Sequence, residues 1–276
     1  MRLALSNIAW DPHEDHDVAQ LLNRFEVSAI DIAHSKYFPD PANAKRSDIV
    51  KIKQWWTDRG IEVTGMQALL YGTTGLNVFG DTNNQKEMLT HLRHICRIGE
   101  GLGAKRLVFG SPRNRDRSNL SDEQALDIAT HFFGKVGEFA KEHGVIVCLE
   151  PNPVCYGANF MVDSEETARV VKSIDNETIR MQFDTGALTI NEESPQIVLE
   201  KYAQLIGHVH ASEPDLLPIG DAGTDHLAMC NALRNFIPNH VVSIEMVATS
   251  NEPHLASIER ALTFASKAYT AKSCDT

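Results

Sequence analysis

The sequence predicts an α/β chain of the (β/α)8 barrel class. Three observations lead there. Short apolar runs alternate with longer amphipathic runs along the whole chain, the pattern of strands each followed by a helix. The 276 residues are long for one small domain and normal for one such barrel. A single domain over residues 1–276 is therefore expected. Third, apolar runs end abruptly in charge, as at residues 145–153, VIVCLEPNP. Val, Ile and Leu without polar alternation read as a strand buried on both faces. The run stops at Glu150, and the prolines that follow bar further pairing. A carboxylate there is badly placed for stability. It is well placed for a site at the carboxyl end of a parallel barrel.

The elements follow in order. Residues 3–9 read as strand one and 16–25 as a helix with Val18, Leu21, Leu22 and Phe25 on one side. Residues 27–33 are strand two, and 47–59 a helix stopped by Gly60. Residues 62–69 are strand three. Residues 70–82, with Gly72, Gly75, Gly80, Tyr71 and Phe79, form a long loop, of the kind that serves as a lid. A helix over 84–102 ends at Gly103, and strand four spans 106–109. Ser121 and Gln124 form a capping box for a helix that stops at Gly144. After strand five, Asp163 and Glu166 cap a helix through Ile174. Strand six is 179–184, a helix covers 193–202, and strand seven is 205–210. A looser helix over 224–236, strand eight over 241–246 and a closing helix over 253–267 complete the set, before a tail expected to fray. A doubly wound sheet is the runner-up. It needs a glycine-rich first turn, and AWDPHED has no glycine.

Composition narrows the function. Hydrophobic residues make up 42% and charged residues 23%, the balance of a folded soluble core. A net charge of -11 argues against a general nucleic-acid binder, because phosphate contacts need clustered cations. Cys96, Cys148, Cys155, Cys230 and Cys274 show no paired spacing and read as reduced thiols of a cytoplasmic protein. The opening MRLALSNIAW is too short an apolar run for a signal peptide, and no stretch approaches a membrane span. Exposed aromatics such as Tyr71 and Phe79 also suit a contact between copies of the chain, so a homo-oligomer stays open.

Four consecutive strands end in ligand-type side chains: Glu150, Asp184 in MQFDTGA, His208 and His210 in GHVHASE, and Glu245 in VVSIEMV. Neighbouring strands lie about 4.8 Å apart, so these groups can converge. Singly, such residues are more often turn caps or hydrogen-bonded core groups. Together, one Asp, two Glu and one His suit a divalent ion, manganese first, with magnesium, cobalt and zinc as alternatives. His210 and His208 are two apart and face the same way. His210, nearer the loop, is the expected ligand, and His208 orients a ligand or contacts substrate.

CLEPNP, QFDTGA, GHVHASEP and SIEM resemble the metal-binding motifs of the xylose isomerase-like TIM barrels. The branch most similar is the sugar phosphate isomerases and epimerases, ketose 3-epimerases included. The resemblance runs the length of the chain and is densest over residues 145–246. It implies a metal held by Glu150, Asp184, His210 and Glu245, with Glu150 and Glu245 also the catalytic acid and base. Two departures concern sugar binding. The family's ketose 3-epimerases carry a histidine soon after the strand-six aspartate, where DTGAL has Ala187 and Leu188. They also carry an arginine a few residues past the strand-seven histidine, where EPDLL has none. The DNA-repair endonucleases of the superfamily need further histidines that are lacking here.

Weaker candidates surround this set. Arg113 and Arg115 in GSPRNRDR leave strand four on the active face, and arginine forks suit phosphate or carboxylate. Trp10, His34 and Gln67 follow or end strands one to three as substrate contacts. Gly220, Gly223, Asp225 and His226 resemble the family's glycine-rich loop leading to an acidic residue, with a turn and helix cap as the plain alternative. The expected function is a metal-dependent sugar or sugar-phosphate isomerase or epimerase acting on a small carbohydrate through an enediolate. The alternatives are a metal-dependent dehydratase of a polyol-derived ketone and a non-catalytic sugar-binding barrel.

Overall fold

The computed structural model describes residues 1–270. Eight parallel strands close into a barrel in sequence order: β1 (Arg2–Ser6), β2 (Ala29–Ala33), β3 (Glu62–Gln67), β4 (Arg106–Phe109), β5 (Ile146–Leu149), β6 (Ile179–Asp184), β7 (Ile206–Ser212) and β8 (Val241–Glu245). β8 returns to β1, with Arg2 opposite Val241 and Leu5 opposite Ile244. The expected (β/α)8 TIM barrel is the fold.

Helices connect the strands: α1 (Asp15–Arg24), α2 (Arg46–Thr57), α3 (Thr82–Leu102), α4 (Asp122–Glu142), α5 (Ser164–Ile174), α6 (Thr185–Ile190), α7 (Pro195–Tyr202), α8 (His226–Phe236) and α9 (His254–Ala265). Their ends follow side-chain chemistry. Ser121 and Gln124 make the expected box at α4. Asp81 accepts from the Asn84 N–H at 2.8 Å, and Gly103, at φ 84°, closes α3. Buried helix faces meet the strands; Phe109 of β4 packs edge-on against Phe133 of α4 at 5.1 Å. None of the helices among the described residues is long and apolar enough to cross a membrane.

Several boundaries differ from expectation. Strand one stops at Ser6 because its hydroxyl accepts from the Ile8 N–H and starts a 3-10 turn over Asn7–Ala9. α2 ends at Thr57, three residues before Gly60. α6 was not expected; Asp184 accepts from the Ala187 N–H and starts a helix directly on β6. Ser266–Thr270 form a π-helical turn that buries Tyr269, so the chain there does not fray. The rest of the expected frayed tail, with Cys274, lies outside the described residues.

Candidate functional site

Barrel register sets four ionisable groups at one end. Asp184 lies opposite His210 across β6 and β7, and Ser212 lies opposite Glu245 across β7 and β8. Glu150 follows β5 directly. One ligand atom from each of Glu150, Asp184, His210 and Glu245 falls within 4.8 Å of the others. His210 Nδ1 is 3.0 Å from Glu245 Oε2 and 3.8 Å from Glu150 Oε1. His210 itself has no exposure, while each glutamate side chain keeps 12%. The two glutamates therefore retain contact with the space above.

The supports are specific. The Ser212 hydroxyl donates to Asp184, 2.9 Å from Oδ1 and 2.8 Å from Oδ2. Asn152 Nδ2 donates to Glu150 Oε2 at 3.1 Å. Beneath His210, the buried Asp31 contacts His208 Nε2 at 2.6 Å and lies 3.7 Å from His210 Nε2. That leaves Nδ1 turned toward the carboxylates.

Crowded negative charge dominates the electrostatics. Burial, then the Glu245 and Asp184 carboxylates, push Glu150 up to about 8. Burial and Glu245 push Asp184 up to about 6. Burial opposes a charge on His210, but Glu245, Asp31 and Glu150 outweigh it and raise the imidazole well above its usual value. Burial also opposes charge on Asp31, and the two histidines overcome it and hold the carboxyl low. Buried like charges of this kind need a cation or protons.

Above the cluster opens a cavity of about 580 Å³, lined in part by Gln67, Tyr71, Arg113, Asn152, Tyr156 and Asp215. That size suits a small molecule. Glu150, Asp184 and Glu245 form part of its wall, with His210 behind them. Of the expected substrate contacts, Gln67 and Arg113 line it. The others do not. Trp10 is wholly buried against Trp56 and donates to Asp15 at 2.8 Å. His34 is buried beside His91, and burial lowers it to about 4. Arg115 is fully buried behind Asn152, to which it donates. His208 is held by Asp31 below the cluster. Asp225 caps α8, accepting from the Ala228 N–H at 2.9 Å. His226 bridges Glu213 and Tyr269. Phe79 packs edge-on against Phe160 at 5.0 Å, whereas Tyr71 is 70% exposed at the cavity.

Residues 20–267 match the family described as xylose isomerase-like TIM barrel. The chain belongs to that family. Inosose dehydratase from Clostridium botulinum is 20% identical over 224 residues, covering 77% of this chain and 71% of that protein. D-psicose 3-epimerase from Clostridium cellulolyticum H10, solved with D-tagatose, matches with a TM-score of 0.80 at 16% identity, over 98% of this chain and 99% of that one. A 3-keto-D-glucoside 4-epimerase from E. coli matches with a TM-score of 0.79 at 17% identity, over 97% and 99%. At these identities the structural likeness is one of fold.

In this xylose isomerase-like barrel, sequence reading missed Asp31, Asn152, Ser212, Tyr156 and Asp215. Asp31 carried a signal, since a carboxylate inside the wholly buried strand AIDIA needs a partner. Asn152 sits two residues past Glu150 in EPN, within reach of it. Ser212, Tyr156 and Asp215 are ordinary polar residues, and only folding brings them to the site.

Proposed function

We propose that this protein is a metal-dependent isomerase or epimerase of sugars or sugar phosphates. The reading rests on one observation: Glu150, Asp184, His210 and Glu245 converge within 4.8 Å at a sugar-sized cavity. The residues fit a divalent ion, since three carboxylates crowd one imidazole and two of them, Glu150 and Asp184, are driven toward protonation. The two glutamates, the aspartate and His210 through Nδ1 would hold it. Oxygen donors with one imidazole suit Mn²⁺ first, then Mg²⁺, Co²⁺ or Zn²⁺. When bound, the ion supplies Lewis-acid polarisation of a substrate carbonyl and the adjacent hydroxyl.

The chain's own groups do the rest. One glutamate removes the proton next to the carbonyl to give an enediolate, and the other returns a proton from the opposite face. Glu150 and Glu245 come from β5 and β8, separated by two strands. Arg113, exposed at the cavity wall, suits a phosphate or carboxylate on the substrate. Gln67, at the cavity wall, suits a sugar hydroxyl.

A dehydratase is the second reading. It is favoured by the likeness to inosose dehydratase. In that case the same enediolate expels a β-hydroxyl. The test is incubation of the Mn²⁺-loaded protein with keto sugars and their phosphates in D₂O, followed by NMR. Deuterium next to the carbonyl is expected, with an epimer or isomer as product. Loss of water instead selects the dehydratase. No exchange with any keto sugar or sugar phosphate by protein that has bound Mn²⁺ overturns the isomerase reading, and no exchange with a cyclic polyol ketone overturns the dehydratase.

A further inference from the structure

Arg115 is a fully buried cation, and taking such a charge out of water costs several kcal/mol unless something compensates. Among the described residues its one hydrogen-bond partner is a neutral amide. Nη2 donates to Asn152 Oδ1, while Nε and Nη1 have no partner. Asn152 is fixed at its backbone, where its N–H donates to the Met161 carbonyl at 3.0 Å. At its other end, Nδ2 donates to Glu150 Oε2 at 3.1 Å.

An asparagine amide has nearly the same shape after a half-turn, but its chemistry reverses. Arg115 can only donate, so it accepts only the orientation that turns Oδ1 toward it. The NH₂ must then face Glu150. Gly110 completes the seat, because a Cβ there would lie 1.9 Å from Glu150 Oε2. With Oε2 tied down, Oε1 is the oxygen left toward His210 Nδ1, at 3.8 Å.

We propose that Arg115 is a positioning residue for Glu150, acting through Asn152 to fix which carboxylate oxygen faces the ligand cluster. This rests on the proposed metal reading and adds a component that touches neither ion nor substrate. Without Arg115 nothing holds Oδ1 on the far side, and the amide is free to swing away from the carboxylate.

The test is Mn²⁺ titration of metal-free wild type, Arg115→Met, Arg115→Lys, Asn152→Ala and the Arg115→Met/Asn152→Ala pair, with thermal unfolding in parallel. Groups that orient a ligand are worth about 10- to 100-fold in metal affinity, and that loss is expected in Arg115→Met. Arg115→Lys keeps a donor for Asn152 Oδ1 and should recover most of the affinity. Asn152→Ala should lose as much as Arg115→Met, and the pair should lose no more than either alone. Wild-type affinity in either Arg115→Met or Asn152→Ala overturns the relay while leaving the metal site standing. So do additive losses in the pair. A wild-type protein that binds no Mn²⁺ overturns the metal reading itself. If Arg115→Met does not fold, Asn152→Asp, which gives Arg115 a charged acceptor but sets a carboxylate against Glu150, carries the test with Asn152→Ala: both should lose affinity, and wild-type affinity in either overturns the relay.

Discussion

Gly110→Ala isolates the position of Glu150 from the stability of the barrel. The new Cβ would stand 1.9 Å from Glu150 Oε2, and ordinary contact begins near 3.4 Å, so the carboxylate must retreat by about 1.5 Å. The nearest obstacle is the end of a flexible side chain, so Glu150 swings and the backbone stays. Gly110 is not among the left-handed glycines, so alanine is tolerated there. Gly→Ala at a compatible site adds about 0.4–1 kcal/mol of stability through the unfolded chain. Displacing Glu150 has the opposite consequence for function. Metal ligands tolerate about 0.2 Å, and a 1 Å misplacement can cost about 10²-fold in rate. The expected signature is a melting temperature unchanged or raised, with Mn²⁺ affinity and turnover each down by about 10²-fold or more. Gly134→Ala, with nothing within 4 Å of its Cβ, is the control that should leave both functions intact. Mn²⁺ titration and calorimetry on the two variants suffice. Wild-type Mn²⁺ affinity in Gly110→Ala would refute the placement of Glu150 in the ligand set.

Glu150 and Asp184, lifted to about 8 and about 6, must lose protons to hold a cation. Mn²⁺ affinity should therefore climb from pH 6 to pH 8 and then level, and a flat profile counts against these ligands. The same two groups bind more protons folded than unfolded, so their contribution to metal-free stability falls as pH rises from ordinary carboxylate values toward 8. Saturating Mn²⁺ should offset that fall in thermal melts at pH 8, and an equal shift at pH 5 would contradict it. Glu150→Gln and Glu245→Gln should each lower epimerisation by about 10²- to 10⁴-fold at saturating Mn²⁺, while deuterium exchange at one substrate face survives in at least one of them. Full recovery on adding metal sinks the two-glutamate mechanism. Tyr71, 70% exposed at the cavity, should become protected from proteolysis at residues 70–82 when substrate binds, and unchanged cleavage removes the lid role.

Strands were legible because burial on both faces leaves no room for polar alternation. VIVCL is such a run. Caps with a side-chain mechanism, such as Ser121 with Gln124, were legible for the same local reason. α6 was hidden because TGALTI is short, and its start depends on Asp184, already read as a ligand. The one carboxylate does both: Oδ1 accepts from Ala187 and the Ser212 hydroxyl bonds both oxygens. Strand seven ran on to Ser212 because the same hydroxyl–carboxylate contact holds its end beside β6.

The site divides along the same line. A ligand at a strand end advertises itself, since charge follows an apolar run at a position that the barrel repeats. A residue that orients a ligand has no such rhythm. Arg115 lies in GSPRNRDR, where it and Arg113 read alike as substrate contacts on the active face, yet it is the buried one and Arg113 the exposed one. Nothing in the spacing of the two separates them; the 3-10 turn over Pro112–Arg115 does, by turning Arg115 inward toward Asn152. Asp31 is the intermediate case. Its burial follows from its strand, but its partners, His208 and His210, stand 177 and 179 positions away in sequence. Only barrel closure puts them in contact. Ligand sets can thus be proposed from strand ends alone, whereas the groups that aim the ligands must be read from the folded chain. Under the proposed metal reading those groups are Asn152, Arg115 and Asp31, which contact Glu150, Asn152 and His210 in turn.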